Sequence, residues 1–179
     1  MQHEMVANPI FHSPVIGYAH HRILLDEGGA PIDYEFLEAN PLFETIIGIP
    51  RGSLIGGTVC ALIPGIEREA ANWIGRYGHI ALHGGEEVFE QYSDHFDRWF
   101  RVHVYSVEHL TFTTVFVDIT ESKRQAEELE SFFAVNLDLL CIADMDGTFV
   151  KTNAAWSRIL GYETEDLAGR RFLEFVHPE

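Results

Sequence analysis

Within the first 119 residues, the pattern of apolar and polar residues predicts β-strands near the beginning and near the end. Two runs rich in apolar and aromatic residues, 16–25 and 32–39, flank a short segment that contains Gly28 and Gly29. Because glycine readily adopts the positive φ of a tight turn, this segment predicts a β-hairpin. Three further runs also predict strands, at residues 87–92, 98–107 and 110–119.

Helical signals fill the interval between the hairpin and the later strands. Asn40-Pro41 is typical of an N-cap followed by proline at the first helical position, and Gly48 ends the short helix that they open. Apolar residues at three- and four-residue spacing predict a longer helix over residues 67–83, which two glycines then stop. Two strands, several helices and three strands predict an α+β domain with a five-stranded antiparallel sheet and helices on one face.

A connector follows the last predicted strand. Asp118 and Glu121 resemble a capping box, and residues 121–129 contain strong helix formers without Gly or Pro. A short amphipathic helix is therefore predicted over residues 120–135. Polar Ser122 and Asn136 interrupt its apolar seam, which argues against an extended coiled coil. The apolar positions at roughly heptad spacing are Ile119, Ala126, Leu129 and Phe133.

One pattern occurs twice in the chain. A shift of 113 positions aligns Asp33 with Asp146 and five further pairs of identical residues without a gap. The second copy ends soon after the aligned region, so we expect a complete domain over residues 1–119, the connector, and the first part of a second domain over residues 136–179. The other identical pairs are Phe36 with Phe149, Asn40 with Asn153, Gly48 with Gly161, Leu54 with Leu167, and Gly56 with Gly169.

Composition and charge exclude several classes of function. The 179 residues include 12 Lys and Arg against 28 Asp and Glu, a formal net charge of −16. A nucleic-acid-binding module needs a basic surface, and a membrane-surface anchor needs a cluster of basic residues. The apolar runs are far shorter than the roughly 20 residues of a membrane span. Cys60 and Cys141 form no metal-type pair, so we predict a cytoplasmic protein without membrane insertion.

The strand–Asn–helix segment over residues 33–43, its repeat over residues 146–156, and the Asp118-Ile119-Thr120 sequence before the connector resemble the Per-Arnt-Sim (PAS) sensory family. Residues 175–179 also resemble the family's segment before its long helix. The resemblance implies a five-stranded sheet whose helices enclose a small-ligand cavity or a packed core. It also implies a place upstream of a histidine kinase or a cyclic-di-GMP enzyme in a bacterial two-component or related signalling protein.

Aromatic residues and two basic residues are the candidates for the ligand cavity. On the strand over residues 98–107, Arg101 and His103 share one face with Trp99 and Tyr105. That face points either into the cavity, toward a polar or anionic ligand, or outward. The predicted cavity residues are Phe36, Phe43, Trp73, Tyr77, Phe89, Arg101, His103 and Phe116.

Cys60 and two histidines are the candidates for a cofactor site. Flavin-binding members of the resembled family carry a photoreactive thiol near the place of Cys60, but Val59 and Ala61 replace the polar neighbours that flavin needs. We therefore predict a buried, inert thiol. His79 and His83 share one helix face, yet no further ligand accompanies them, so neither haem nor a metal is expected and no cofactor is assigned.

Three hypotheses follow. The leading one is a sensory module that binds a small ligand and relays the change through Asp118, Ile119 and Thr120 into the connector helix. The second is a ligand-free module that forms a homodimer, and the third is a haem or metal sensor. No catalytic motif is present, and we predict that this chain is not an enzyme.

Overall fold

The computed structural model describes residues 9–175 and separates into two compact units, Met1–Glu121 and Ser122–Glu179. Residues 1–8 of the first predicted domain, and residues 176–179 of the segment that resembles the PAS motif, lie outside the described residues. The first unit begins with a 3₁₀ turn at Pro9–His12. Its strands are β1 (Gly17–Leu25), β2 (Pro31–Ala39), β3 (Gly85–Ser93), β4 (Arg98–Ser106) and β5 (Thr111–Asp118).

The five strands form one antiparallel sheet in the order β2-β1-β5-β4-β3. The α+β class and all five predicted strands are confirmed, with bounds that differ by one or two residues. Because side chains alternate across a strand, one face of the sheet carries the apolar residues of the core and the other carries polar and charged ones. Core residues on the inner face include Ala19, Phe36, Val102, Val104, Phe112 and Phe116.

Four short helices lie between β2 and β3: α1 (Pro41–Ile47), α2 (Arg51–Leu54), α3 (Val59–Leu62) and α4 (Trp73–His83), with a 3₁₀ turn at Ile66–Arg68. The helix predicted over residues 67–83 is thus wrong at its start. Asn72 adopts a left-handed conformation with φ of 49°, which interrupts the helical path immediately before Trp73. Asn and Asp tolerate this conformation better than other residues with a side chain.

Asn40 joins the hairpin to α1. Its Oδ1 accepts hydrogen bonds from the backbone N–H groups of Phe43, at 2.9 Å, and Tyr18, at 3.1 Å. Its Nδ2 donates to the carbonyl oxygen of Ile16 at 2.7 Å. The predicted N-cap is confirmed, and the same side chain also fixes where β1 begins.

The second unit consists of α5 (Thr120–Val135, whose first two residues belong to the first unit), β6 (Cys141–Ala143), β7 (Phe149–Thr152), α6 (Ala155–Leu160), α7 (Thr164–Leu167) and a 3₁₀ turn at Phe172–Phe175. The helix predicted for the connector is present. Strands β6 and β7 form a two-stranded antiparallel sheet.

Hydrogen bonds of the first unit recur in the second. Gly56 donates to the carbonyl of Phe36, and Gly169 donates to that of Phe149. Asn153 accepts from the N–H of Leu140 at 3.1 Å and donates to the carbonyl of Asp138 at 2.9 Å, as Asn40 does with its own neighbours. The two copies therefore share local structure as well as sequence.

The pairing of Asp33 with Asp146 is the exception to this correspondence. Asp33 lies within β2, where its Oδ1 accepts from the N–H of Cys60 at 3.1 Å. Asp146 lies in the turn between β6 and β7, held by the carboxylate of Asp144. The two aspartates occupy different structural positions because the hairpin of the second unit is shorter.

Candidate functional site: a core cavity and the junction with the connector helix

A cavity of about 70 Å³ lies between the inner face of the sheet and the helices of the first unit, and it is not fully closed from solvent. It takes its walls from β1, β2, β4, β5 and the end of β3 with the turn after it, and from α1, α4 and the segment between α3 and α4. Its lining is mainly aromatic and aliphatic. The residues are His21, Tyr34, Phe43, Ile47, Ile63, Ile66, Trp73, Tyr77, Ser93, Phe96, Phe100, Val102, Thr114 and Phe116.

Four of the eight predicted cavity residues lie in this lining: Phe43, Trp73, Tyr77 and Phe116. Phe36 is fully buried but packs edge-to-face between aromatic neighbours in the core, away from the cavity surface. Phe89 lies on edge strand β3, where the guanidinium of Arg76 covers its ring at 3.8 Å.

Arg101 and His103 do not reach the cavity, and their assignment to it is wrong. Phe100, Val102 and Val104 occupy the inner face of β4, so the alternation of side chains puts Arg101 and His103 on the outer face. There the guanidinium of Arg101 pairs with Glu90 at 2.7 Å, and the imidazole of His103 contacts Glu86 at 2.8 Å.

His21 is the main residue that the sequence analysis missed. Its side chain is 1% exposed and lines the cavity from β1. The ring stacks on Phe112 with centroids 4.6 Å apart, and Nε2 lies 3.0 Å from the hydroxyl of Thr114. Nδ1 is buried and has no hydrogen-bond partner. Burial lowers the pKa of His21 well below its ordinary value, with a smaller contribution from His20, so the ring is neutral.

The neutral state of His21 predicts a loss of stability in mild acid. The unfolded chain binds a proton at this residue below pH 6.5, whereas the folded chain does not, so the unfolding free energy falls as the pH drops below that value. The loss reaches about 2 kcal/mol at pH 5 relative to pH 7. Chemical denaturation at several pH values measures it.

Two variants isolate this contribution. His21→Gln removes it and flattens the curve between pH 6.5 and 5. His20→Gln is the matched control, because His20 lies next along β1 on the outer face and contacts Thr113 at the same 3.0 Å distance. Equal slopes in wild type and His21→Gln would show that His21 takes up no proton on unfolding.

Tyr34 and Tyr77 bring phenol groups to the cavity. Burial raises the pKa of both hydroxyls well above the ordinary value, so both remain protonated. The lining contains no Asp, Glu, Lys or Arg residue. The cavity can therefore offer neutral hydrogen-bonding groups within an apolar surface, and it offers no counter-ion for a charged ligand.

Glu69 holds the segment that covers the cavity in place through hydrogen bonds. Its carboxylate accepts hydrogen bonds from the hydroxyl of Ser93 at 2.9 Å, the backbone N–H of His95 at 2.8 Å, and Nε1 of Trp73. Ser93 is buried in the lining, and Trp73 begins α4. A single carboxylate thus ties the end of β3 to the start of α4.

Cys60 and the histidine pair lie apart from the cavity. Cys60 is partly rather than fully buried, and its thiol lies 3.9 Å from the carbonyl oxygen of Ile32. Burial, followed by the effect of Asp33, raises the pKa of this thiol to about 11, so it stays protonated. The rings of His79 and His83 lie 4.6 Å apart on the exposed face of α4. Over residues 9–175, no cluster of three His, Cys, Asp or Glu side chains could hold a metal ion.

Asp118, Ile119 and Thr120 bind the start of α5 to the start of β4. The N–H of Ile119 donates to the carbonyl of Trp99 at 2.9 Å, and Oγ1 of Thr120 accepts from the N–H of Trp99 at 2.9 Å. Asp118 accepts from the N–H of Thr120 at 2.9 Å and pairs with Arg98 at 2.8 Å. Burial raises the pKa of Asp118, but these two partners outweigh it, so the pKa lies below its ordinary value.

This junction lies directly beside the cavity wall. Phe100 follows Trp99 on β4, and Phe116 precedes Asp118 by two residues on β5; both rings line the cavity and pack edge-to-face with centroids 5.3 Å apart. A shift of either ring therefore acts on strands that hold the first turn of α5.

Comparison with known proteins finds a family match within the second unit. Residues 137–179 match the family model described as the PAS fold, and the resemblance to PAS domains is confirmed. The first unit has an α+β fold with a five-stranded antiparallel sheet, and the match does not extend to it.

Solved structures of similar fold include a domain of an HTR-like protein from Haloarcula marismortui (24% identity, 59% of this chain and 98% of that one, TM-score 0.42). A LOV protein from Rhodobacter sphaeroides is 20% identical over 72% of each chain, with a TM-score of 0.44. The PAS domain of BvgS from Bordetella pertussis is 18% identical over 73% of this chain and 97% of that one, with a TM-score of 0.43. These scores are too low to indicate what this chain binds or does. No curated protein matches it.

Among residues 9–175, no helix has the length and apolar character needed to cross a membrane.

Proposed function

We propose that the first unit is a ligand sensor: a small molecule binds in the core cavity, and the change passes through Asp118, Ile119 and Thr120 into α5. The observation that carries this proposal is the shared wall between the cavity and the junction. Phe100 and Phe116 line the cavity, and the strands they belong to hold the start of α5 through Trp99 and Asp118. A ligand shifts such an equilibrium only by its differential affinity for two states, and these rings are where that difference would arise.

The first experiment examines the purified chain for a bound molecule. A UV–visible spectrum is recorded, and small molecules released on denaturation are analysed by mass spectrometry. We expect a colourless protein that releases a small metabolite. A Soret or flavin band would contradict the proposal, as would an empty protein whose melting temperature no member of a metabolite panel raises.

Replacing Thr120 with valine is expected to uncouple α5 from the cavity. The N–H of Trp99 loses its acceptor, so the first turn of α5 is released at a cost of about 1 kcal/mol, which is roughly a fivefold faster amide exchange. Ligand-induced changes in hydrogen exchange over α5 are lost, while ligand binding persists.

Ser122→Ala is the control for Thr120→Val, because Ser122 is exposed in the same first turns of α5. It is expected to keep the ligand-induced change. If the change persists in Thr120→Val, the signal does not pass through this hydrogen bond.

A second function, homodimerisation through α5, is favoured by a separate observation. This 16-residue helix has no buried residue, and Leu129 and Phe132 are 69% and 59% exposed. Apolar side chains of this kind are typical of a helix that pairs with a second copy. Light scattering of the full chain and of a Leu129→Glu, Phe132→Glu variant tests this: we expect a dimer that the variant converts to a monomer.

The proposal also includes the domain boundaries, the cellular location and the output module. We infer that residues 1–119 form one PAS domain, residues 120–135 the connector, and residues 136–179 part of a second PAS unit, in a cytoplasmic protein. The match of residues 137–179 and the repeated hydrogen bonds support the second unit. The output module implied by the resemblance is a histidine kinase or a cyclic-di-GMP enzyme, and the present chain is proposed to be non-catalytic.

A further inference from the structure

The unpartnered nitrogen of His21 is the most unusual polar group in the core. More than nine in ten buried polar groups in native proteins have a hydrogen-bond partner, so an exception calls for an explanation. The only other such side-chain atom among residues 9–175 is Oγ1 of Thr152, which belongs to the second unit. Nδ1 of His21 is therefore the single unsatisfied side-chain atom buried among the described residues of the first unit, and it belongs to a residue of the cavity lining.

The ring of His21 is held in place by its neighbours. It stacks on Phe112, meets Tyr34 and Phe36 edge-on with centroids 5.0 Å away, and is bonded through Nε2 to Thr114. These contacts hold the ring in place. His21 also belongs to the cavity lining, which makes a molecule bound there a candidate partner for Nδ1.

The lining sets the charge of that molecule. The cavity has no Asp, Glu, Lys or Arg side chain, and the charge of a bound ion would have no counter-ion there. A neutral imidazole has one donor and one acceptor nitrogen, and the threonine hydroxyl can serve either role toward Nε2. A hydroxyl group on the ligand, which both donates and accepts, fits Nδ1 in either tautomer.

The size of the cavity limits the rest of the ligand. At about 70 Å³ it has roughly half the volume of a 150 Å³ engineered cavity that holds benzene, although it is open on one side. The aromatic lining favours contact with another ring or a short branched chain.

From these observations we propose that the cavity selects a small, uncharged ligand, no larger than a single ring or short branched chain, whose one polar group hydrogen-bonds to Nδ1 of His21. The inference rests on the proposed ligand-sensing function and adds the chemical class of the ligand and the residue that recognises it.

The test uses three probes on the full 179-residue chain at pH 7.5: phenol, toluene and benzoate. Phenol and toluene have the same number of non-hydrogen atoms and differ in the hydroxyl, while benzoate is charged. Affinities are measured by calorimetry, and the ¹⁵N resonances of the His21 ring are followed by NMR. We expect phenol to bind about tenfold more tightly than toluene, to move the Nδ1 resonance, and to bind more tightly than benzoate.

His21→Phe and His20→Phe form a matched pair of variants. His21→Phe retains a ring beside Phe112 but has no nitrogen, so phenol affinity should fall to the level of toluene while toluene affinity is unchanged. His20→Phe alters the outer face of the same strand and should keep the preference for phenol. If His21→Phe does not fold, the wild-type resonance decides: a shift of Nδ1 with phenol and none with toluene supports the proposal, and equal responses overturn it.

The outcomes separate this inference from the function on which it rests. Equal affinity for phenol and toluene, or a preference for benzoate, overturns the ligand class but leaves a ligand-binding cavity. The same holds if no probe binds while a different metabolite copurifies with the protein. If no probe binds and nothing copurifies, both the inference and the sensing function fail.

Discussion

Asn40→Ala is expected to lower the unfolding free energy of the first unit by about 4 kcal/mol. The side chain is 0% exposed, and it satisfies the N–H groups of Tyr18 and Phe43 together with the carbonyl of Ile16. Alanine removes the helix cap and leaves these groups without a partner in the protein interior. Denaturant unfolding followed by Trp73 and Trp99 fluorescence measures the loss.

Two further variants test whether the loss of stability comes from the hydrogen bonds of Asn40 in the first unit. Asn40→Asp keeps the acceptor for both N–H groups and loses only the donor, so its effect should be smaller. Asn153→Ala makes the same change in the second unit and should leave the unfolding of the first unit unaltered. An Asn40→Ala protein with wild-type stability would show that the three hydrogen bonds do not hold the hairpin to α1.

Glu69→Ala is expected to destabilise the first unit by about 3 kcal/mol and to open the cavity. Three donors, from Trp73, Ser93 and His95, lose one common acceptor, and Ser93 is buried. Hydrogen bonds to a charged group are stronger than neutral ones, which is why one substitution has so large an effect. Hydrogen exchange should increase at the end of β3 and the start of α4.

Glu67→Ala is the matched control for Glu69→Ala. Glu67 lies two residues earlier, is exposed, and bonds only to Gly65 and Arg68. Its removal should leave the stability of the first unit close to that of the wild type. If the two variants lose the same stability, the loss comes from the local turn and not from the contacts of Glu69 across the cavity rim.

The sequence was sufficient to predict the five strands of the first unit, the connector helix and several of the residues at the site. Local signals such as Asn40-Pro41 and the hairpin glycines act over a few residues, so their structure follows from their neighbours. The start of α4 could not be predicted from the sequence. The spacing of apolar residues over 67–83 is helical throughout and does not reveal that Asn72 adopts a left-handed conformation.

The cavity residues could not all be predicted from the sequence, for a different reason. Alternation divides β4 into two faces but does not tell which one meets the helices, so the sequence leaves the orientation of Arg101 and His103 open, and their inclusion among the cavity residues is wrong. The sequence does not predict His21 as a cavity residue because its neighbours His20 and Arg22 are also polar, so nothing marks it as buried. Its role depends on Thr114 and Phe112, which are brought to it only by the pairing of β1 with β5.

The different lengths of the two hairpins bear on how the chain avoids misfolding. Tandem copies with similar sequences can exchange strands during folding, which is a characteristic failure of repeat proteins. Here β1 and β2 have nine residues each, whereas β6 and β7 have three and four. A strand of one hairpin paired with a strand of the other would leave more than half of the longer one without hydrogen bonds. The mismatch in length therefore disfavours the exchange of strands between the two copies.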